Sequence, residues 1–458
     1  MLCRFALVLL LLAFGPNLLR AGAAKRPPNI VFILADDLGY GDLGCYGQKM
    51  IKTPRLDEFA KQGMRFRQFY AGSTVCAPSR CALMTGLHTG HCRVRGNALV
   101  PLTAQDVTVA TLLRRAGYVT GLIGKWGLGE PGTSGVPGLQ GFDYFFGYLN
   151  QHHAHNYWPD YLWRNDAKVP LPDNVQAKPN IAAKKAVYSH DLFTVEALKF
   201  VEQNKDRPFF LYLAYTLPHA NNERGKEEGN GMEIPSDEPY TKMPWPQAQK
   251  NHAAMITRLD RDVGRVLDRL RELGLDENTV VIFTSDNGPH REGGADPAFF
   301  NSSGGLRGFK RSLHEGGIRV PMLMRWTGKL PADTVSDHIG AFWDFLPTAC
   351  DLAGVQTPPG LDGVSFLPPM FRKDNRQERQ FLYWEFHEGG FAQGVRMGDF
   401  KAVRKKSGAP LELYDLRMDR AEEHDIAARA PEVVERIEEY LRTARTESPH
   451  WPIKKGKK

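Results

Sequence analysis

Three continuous apolar runs constrain what this chain can fold into more than any other feature: Asn29–Ala35 (NIVFILA), residues 208–215 (PFFLYLAY) and residues 280–284 (VVIFT). Each is short and rich in β-branched or aromatic side chains, which favours strand over helix. None alternates apolar with polar residues, so none has a wet face. The pattern predicts strands buried on both sides, as in a parallel sheet covered by helices. Helical signals fall between them. Thr53-Pro54 opens a helix that Gly63 stops. Residues 108–116 read as a short helix ended by Gly117, with residues 118–123 strand-like behind it. Ser189 starts a helix with Leu192, Val195, Leu198 and Val201 on one face. Met255, Ile256, Leu259, Val263, Val266, Leu270 and Leu273 recur at helical spacing as a core-facing stripe. Between these helices, residues 221–246 are polar and read as a surface excursion or a lid. The alternation predicts an α/β fold with a large, mostly parallel mixed sheet sandwiched by helices.

From about residue 358 the pattern changes. Residues 381–386, 394–397, 401–403 and 412–415 look like short antiparallel strands, and residues 421–445 like a charged helix. The expected organisation is a main α/β body over 25–357 and a smaller C-terminal α+β subdomain over 358–458, with an antiparallel sheet and a basic tail.

Composition adds exclusions. With 42% hydrophobic and 24% charged residues over 458 positions, the chain is too apolar to be disordered. Its 45 Gly and 31 Pro follow no short period, which excludes collagen, coiled-coil and solenoid architectures. The net charge of +7 is mild and dispersed except at Lys454, Lys455, Lys457 and Lys458, so no nucleic-acid partner is expected. At the N-terminus, Arg4 precedes an apolar run over 5–14 and the small residues Ala21-Gly22-Ala23-Ala24. That order predicts a secretory signal peptide over 1–24, cleaved after Ala23 or Ala24, and a mature protein that is exported to a periplasm or secreted. The apolar run is short for a membrane span, and no stable membrane insertion is expected. Cys3 would leave with the signal, and the remaining five, Cys45, Cys76, Cys81, Cys92 and Cys350, form no C-x-x-C pair. An odd number in an exported chain points to one special thiol.

Two of the predicted strands end in polar pairs, Asp36-Asp37 and Asp286-Asn287. In open α/β sheets the site lies at the carboxyl ends of the strands. Asp36, Asp37, Asp286 and Asn287 offer hard oxygen ligands suited to Ca²⁺, with Mg²⁺ as the alternative.

The segment Cys76-Ala77-Pro78-Ser79-Arg80-Cys81-Ala82-Leu83-Met84-Thr85-Gly86 has the pattern C-x-P-S-R-x-x-L-x-T-G. Here the chain resembles the sulfatase family, within the alkaline phosphatase superfamily, and the resemblance runs roughly from Pro28 to Leu416. It implies that Cys76 is converted to formylglycine by a maturation enzyme, and that Cys76 then belongs with the metal site. One hydroxyl of the hydrated aldehyde would attack sulfur; the second would allow sulfate to be expelled, a route closed to serine. Pro78 is expected to open a helix with residue 76 just before it, at an anion-attracting N-terminus. Arg80, one turn in, would reach the modified residue or the metal.

Further segments carry the same resemblance. Gly117 to Trp126 looks like a second family signature and implies that Lys125 binds sulfate. Leu217-Pro218-His219 implies a role for His219 in holding sulfate or protonating the leaving alkoxide. Gly308-Phe309-Lys310 with Glu315-Gly316-Gly317 implies that Lys310 is a second sulfate-binding lysine. One position departs: many relatives carry His two residues after the first lysine, where this chain has Gly127. Gln151 lies where the family often places a polar substrate contact, and His155, or else His153, is expected to enter the site instead. The resemblance thus implies hydrolysis of a sulfated small molecule or saccharide. The alternatives are a phosphodiesterase or phosphonate monoester hydrolase of the same superfamily, or a sulfated-glycan-binding protein without catalysis.

Overall fold

The computed structural model describes residues 26–371 and 379–453. The expected signal peptide, Cys3 and the lysines at 454–458 lie outside the described residues.

The strands in chain order are β1 (Asn29–Ala35), β2 (Met64–Tyr70), β3 (Val119–Lys125), β4 (Tyr144–Tyr148), β5 (Tyr161–Arg164), β6 (Ala167–Pro170), β7 (Val175–Lys178), β8 (Ile181–Lys184), β9 (Phe209–Ala214), β10 (Thr279–Ser285), β11 (Met322–Trp326) and β12 (Thr334–Ala341), followed by β13 (Leu382–Phe386), β14 (Ala392–Met397), β15 (Phe400–Arg404) and β16 (Glu412–Asp415). The helices are α1 (Pro54–Gln62), α2 (Cys76–Thr85), α3 (Val109–Arg115), α4 (Ser189–Gln203), α5 (Asn222–Glu228), α6 (Gln247–Glu272), α7 (Glu315–Ile318), α8 (Phe345–Ala353), α9 (Leu367–Met370) and α10 (Pro431–Leu441). Ten strands form one sheet in the order β12-β2-β11-β10-β1-β9-β3-β4-β5-β6. Its centre is parallel, β10-β1-β9-β3-β4, and both flanks bring in antiparallel pairs.

The expectation of strands buried on both faces holds residue by residue. Every residue of β1, β9 and β10 is buried. Along β1, Val31, Ile33 and Ala35 enter a core with α1, α4 and α6, while Ile30, Phe32 and Leu34 enter the opposite core with α2, α3 and α8. That two-sided alternation is the pleat of a central strand.

The second sheet, β13-β14-β15-β16, is antiparallel throughout, as expected. One face carries α10 through Val433, Ile437 and Leu441. The other packs against the large body, with the rings of Trp343 and Trp384 5.5 Å apart.

Several local expectations change. The expected helix over 421–445 is the shorter α10, because Pro431 starts it and a single 3-10 turn at Ala427–Arg429 precedes it. On α4 the buried face is Phe193, Ala197, Phe200 and Val201, while Val195 is 38% exposed. The rings decide that rotation: Phe193 packs edge-on against Phe146 of β4, and Phe200 lies over Gly121 of β3. Residues 221–246 lie mostly at the surface but contain α5 and anchor themselves through buried Met232 and Tyr240.

Candidate active site

The register of β1 with β10 pairs Ala35 with Ser285, so the two polar pairs that follow leave the sheet side by side. Lys125 is the last residue of β3, two strands away from β1 across β9, and the chain leaving β9 delivers His219. Opposite these strand ends lies the start of α2. Cys76 is its first residue rather than the one before it, as expected from Pro78; the extended backbone of Val75 ends the preceding segment. Val75 has no side-chain oxygen to cap the helix, and Asn97 from a distant loop accepts the N–H of Ala77 at 3.1 Å instead.

Nearly all of the expected residues meet here. Cys76 Sγ donates to Asp36 Oδ1 at 3.3 Å. Lys125 Nζ donates to Asp36 Oδ2 at 2.7 Å, and Lys310 Nζ to Asp37 Oδ2 at 2.8 Å. Arg80 reaches Asp286 Oδ2 at 2.8 Å and Asp36 Oδ2 at 3.3 Å, and donates to the carbonyl of Lys125 at 2.8 Å. Asn287 Nδ2 donates to Asp37 Oδ1 at 2.7 Å. His219 Nε2 lies 3.2 Å from Lys310 Nζ, and its Nδ1 lies 2.7 Å from the carbonyl of Ala220. With Nδ1 protonated toward that carbonyl, Nε2 is the acceptor facing the ammonium. All nine residues are buried. Asp37 takes φ +67°, a strained choice for a non-glycine residue that an active site retains.

The electrostatics follow from that burial. Burial opposes the charge on Asp36, but the cations Lys125, Arg80 and Lys310 hold its carboxyl well below the usual range. Asp286 goes the other way: burial and the charges of Asp36 and Asp37 push it up to about 7 against the pull of Arg80. Burial and the charge of Lys310 lower His219 to about 3, so the imidazole is neutral. Burial and Asp36 push the Cys76 thiol far above its usual value. An unmodified Cys76 is therefore a protonated thiol, unsuited to act as a thiolate nucleophile.

The donor set fits a hard cation. Three carboxylates and one amide converge with no exposure to solvent. Asn287 Oδ1 is buried without a hydrogen-bond partner, and Asp286 is strained by like charge. A divalent ion held by these four residues would satisfy the orphan oxygen and relieve the repulsion.

Gly127 has φ +78°, and a Cβ built there lies 2.7 Å from Gln151 Nε2, itself buried and unpartnered. The amide of Gln151 thus occupies the space where a side chain at 127 would begin. Gly127→Ala is expected to destabilise the fold by about 1–2 kcal/mol, from the left-handed backbone and the clash together, as measured by urea unfolding. His155 stacks on His219 with ring centroids 4.9 Å apart, and its Nδ1 is 3.0 Å from Glu223 Oε2. His153 turns away, packing between Tyr148 and Tyr161.

Sequence reasoning missed Glu292, which lies 2.9 Å from Lys310 Nζ, and Glu223. Glu292 follows the Asp286-Asn287-Gly288 turn by a few residues, the one signal that could have drawn attention to it.

The sulfatase family model matches residues 28–355, most of the chain. The chain belongs to the sulfatase family. A second model, described as N-sulphoglucosamine sulphohydrolase, C-terminal, matches residues 306–447. Arylsulfatase A of Homo sapiens is 34% identical over 94% of this chain and 89% of its own. N-acetylgalactosamine-6-sulfatase of Canis lupus familiaris is 32% identical over 86% of this chain and 74% of its own. The crystal structure of Ps i-CgsB in complex with k-i-k-neocarrahexaose superposes with a TM-score of 0.79 and 29% identity, covering 94% of this chain and 96% of that one. This sulfatase is accordingly a sulfuric ester hydrolase. Among its described residues no helix is long and apolar enough to cross a membrane.

Proposed function

We propose that the enzyme hydrolyses its sulfate ester through formylglycine made from Cys76, beside a divalent cation held by Asp36, Asp37, Asp286 and Asn287. The observation that carries this reading is the placement of Cys76. It sits at the first turn of α2, against Asp36, within a buried ring of Arg80, Lys125 and Lys310. The hydrated aldehyde supplies a nucleophilic hydroxyl and a second one through which sulfate leaves. The cation, Ca²⁺ in preference to Mg²⁺, supplies positive charge at the sulfate oxygens.

The chain's own residues do the rest. Arg80 locks Asp286 and Asp36 in place by its planar fork. Lys125 and Lys310, now on carboxylates, turn to the sulfate oxygens when a substrate enters and oppose the charge that develops there. The Lys310 ammonium carries the proton nearest the leaving oxygen, and neutral His219 accepts from it, so the two act as one proton-handling pair. Gln151 and His155 contact the substrate at the edge of the pocket. The names of the relatives support a sulfated saccharide or small molecule as substrate. The same reading assigns maturation to a formylglycine-generating enzyme and export to the 1–24 segment. It places catalysis in 25–357, with 358–458 as a supporting subdomain.

The experiment is a comparison of kcat/KM on phenyl sulfate, on the diester diphenyl phosphate and on phenyl phenylphosphonate with the matured enzyme. The sulfate is expected to win by about a hundredfold or more, the scale on which a site built for one reacting group rejects another. Preference for the phosphate diester would move the reaction to a phosphodiesterase, and preference for the phosphonate to a phosphonate monoester hydrolase. Binding without turnover of either would leave a sulfated-glycan-binding protein.

A further inference from the structure

Exposure rises in one direction through the site. Asp36, Asp37, Asp286 and Asn287 are fully enclosed, and Lys125, His219 and Lys310 are nearly so. Beyond Lys310 the side chains open toward solvent: Glu292 at 18%, Glu388 at 33% and Arg311 at 45%. On the other side of His219, His155 is 11% and Glu223 29% exposed. The sulfate end of a substrate therefore lies at the enclosed end and its alcohol lies against this mouth. That inference rests on the function proposed above.

The mouth is built, not incidental. Glu292 binds Lys310 through one carboxylate oxygen and Arg311 through the other, and Arg311 passes on to Glu388 at 3.1 Å. The backbone N–H of Glu292 is held by His290 Nδ1 at 3.0 Å. Arg311 takes φ +73°, the same left-handed strain that marks Asp37 in the enclosed end. Burial opposes the charge on Glu292, but the Lys310 ammonium bonded to it holds the carboxyl far below the usual range, so it is ionised at any working pH.

We propose that Glu292, oriented by Arg311, is a specificity-determining residue: it accepts a hydrogen bond from a free hydroxyl beside the sulfate ester and rejects substrates with a second anionic group there. An ionised carboxylate can only accept, so a neighbouring hydroxyl is its complement. A neighbouring sulfate or carboxylate meets like charge in a partly desolvated place. Three carboxylates, Glu292, Glu388 and Glu223, stand at the mouth; Arg311 bridges two of them, Lys310 beside Glu292 is the ammonium that the proposed function commits to the sulfate ester itself, and His155 is held toward neutrality mainly by burial. The substrate class is thus a monosulfated polyol with vicinal hydroxyls, as in a sugar ring, rather than a polysulfated one.

The test measures kcat/KM of the matured enzyme and of Glu292→Gln on 2-hydroxyphenyl sulfate, phenyl sulfate and 2-carboxyphenyl sulfate. Phenyl sulfate is the reference in both proteins, so any effect of the substitution on Lys310 cancels in the ratios. The wild type is expected to favour the hydroxyl compound over phenyl sulfate by about tenfold and to disfavour the carboxyl compound by at least as much. Glu292→Gln should pull both ratios toward one. Ratios that stay the same in the variant, or a wild type that prefers the carboxyl compound, overturn the proposal while phenyl sulfate turnover upholds the chemistry. Failure of the wild type on phenyl sulfate overturns the reading of the chemistry, and the proposal with it.

Discussion

Cys76→Ser is expected to lower turnover of phenyl sulfate by about 10⁴-fold or more while leaving the fold intact, the loss typical of removing a nucleophile. The side chain is small and buried, and its one hydrogen bond, to Asp36, is one a hydroxyl also makes. Circular dichroism and the thermal midpoint of the variant should therefore stay close to those of the parent. The chemical difference lies in release. A serine that attacks sulfur through its hydroxyl releases phenol and is left sulfated; it has no second oxygen on the same carbon, so it has no route to expel that group. A burst of about one equivalent of phenol per active site, with no further turnover, is the kinetic signature expected.

Arg80→Met is expected to act on stability as well as activity. Arg80 has no exposure and holds Asp286 and Asp36 together with the carbonyl of Lys125. Replacing it leaves two buried carboxylates short of a partner, which costs on the order of 3–5 kcal/mol. The unfolding midpoint in urea should fall accordingly, and turnover should fall with it because Asp286 is already pushed up to about 7. Arg80→Lys keeps a charge but loses the planar fork that spans two carboxylates and a carbonyl. It is expected to recover part of the stability and little of the rate.

How far the sequence discloses this enzyme depends on whether each contact is local. β1, β9 and β10 were legible because burial on both faces leaves an unbroken apolar run. β2 was not, since its residues Arg65, Arg67 and Gln68 give it the composition of a surface segment. It is nonetheless a strand between β11 and β12, with Arg67 and Gln68 reaching the exposed Asp337. The strands β5 to β8 are four residues each and largely exposed, and no periodicity marks them; β4 is buried but only five residues long. In the site, Asp36, Asp37, Asp286 and Asn287 follow recognisable strands, and Cys76, Arg80, Lys125, His219 and Lys310 sit in recognisable motifs. Glu292 and Glu223 depend on how loops from distant parts of the chain fold over one another. The clash at Gly127 with Gln151 is of the same kind: the absent side chain is visible in the sequence, but what fills its place is a tertiary fact.

The central claim, that residue 76 carries the reaction only after modification, is tested most directly in preparations matured to different extents. The mass of the peptide spanning residue 76 gives the fraction converted to formylglycine, and phenyl sulfate turnover is measured on the same samples. The account predicts a rate proportional to that fraction, passing through zero when residue 76 is entirely cysteine. Full turnover by an enzyme whose residue 76 is wholly unmodified cysteine would contradict it.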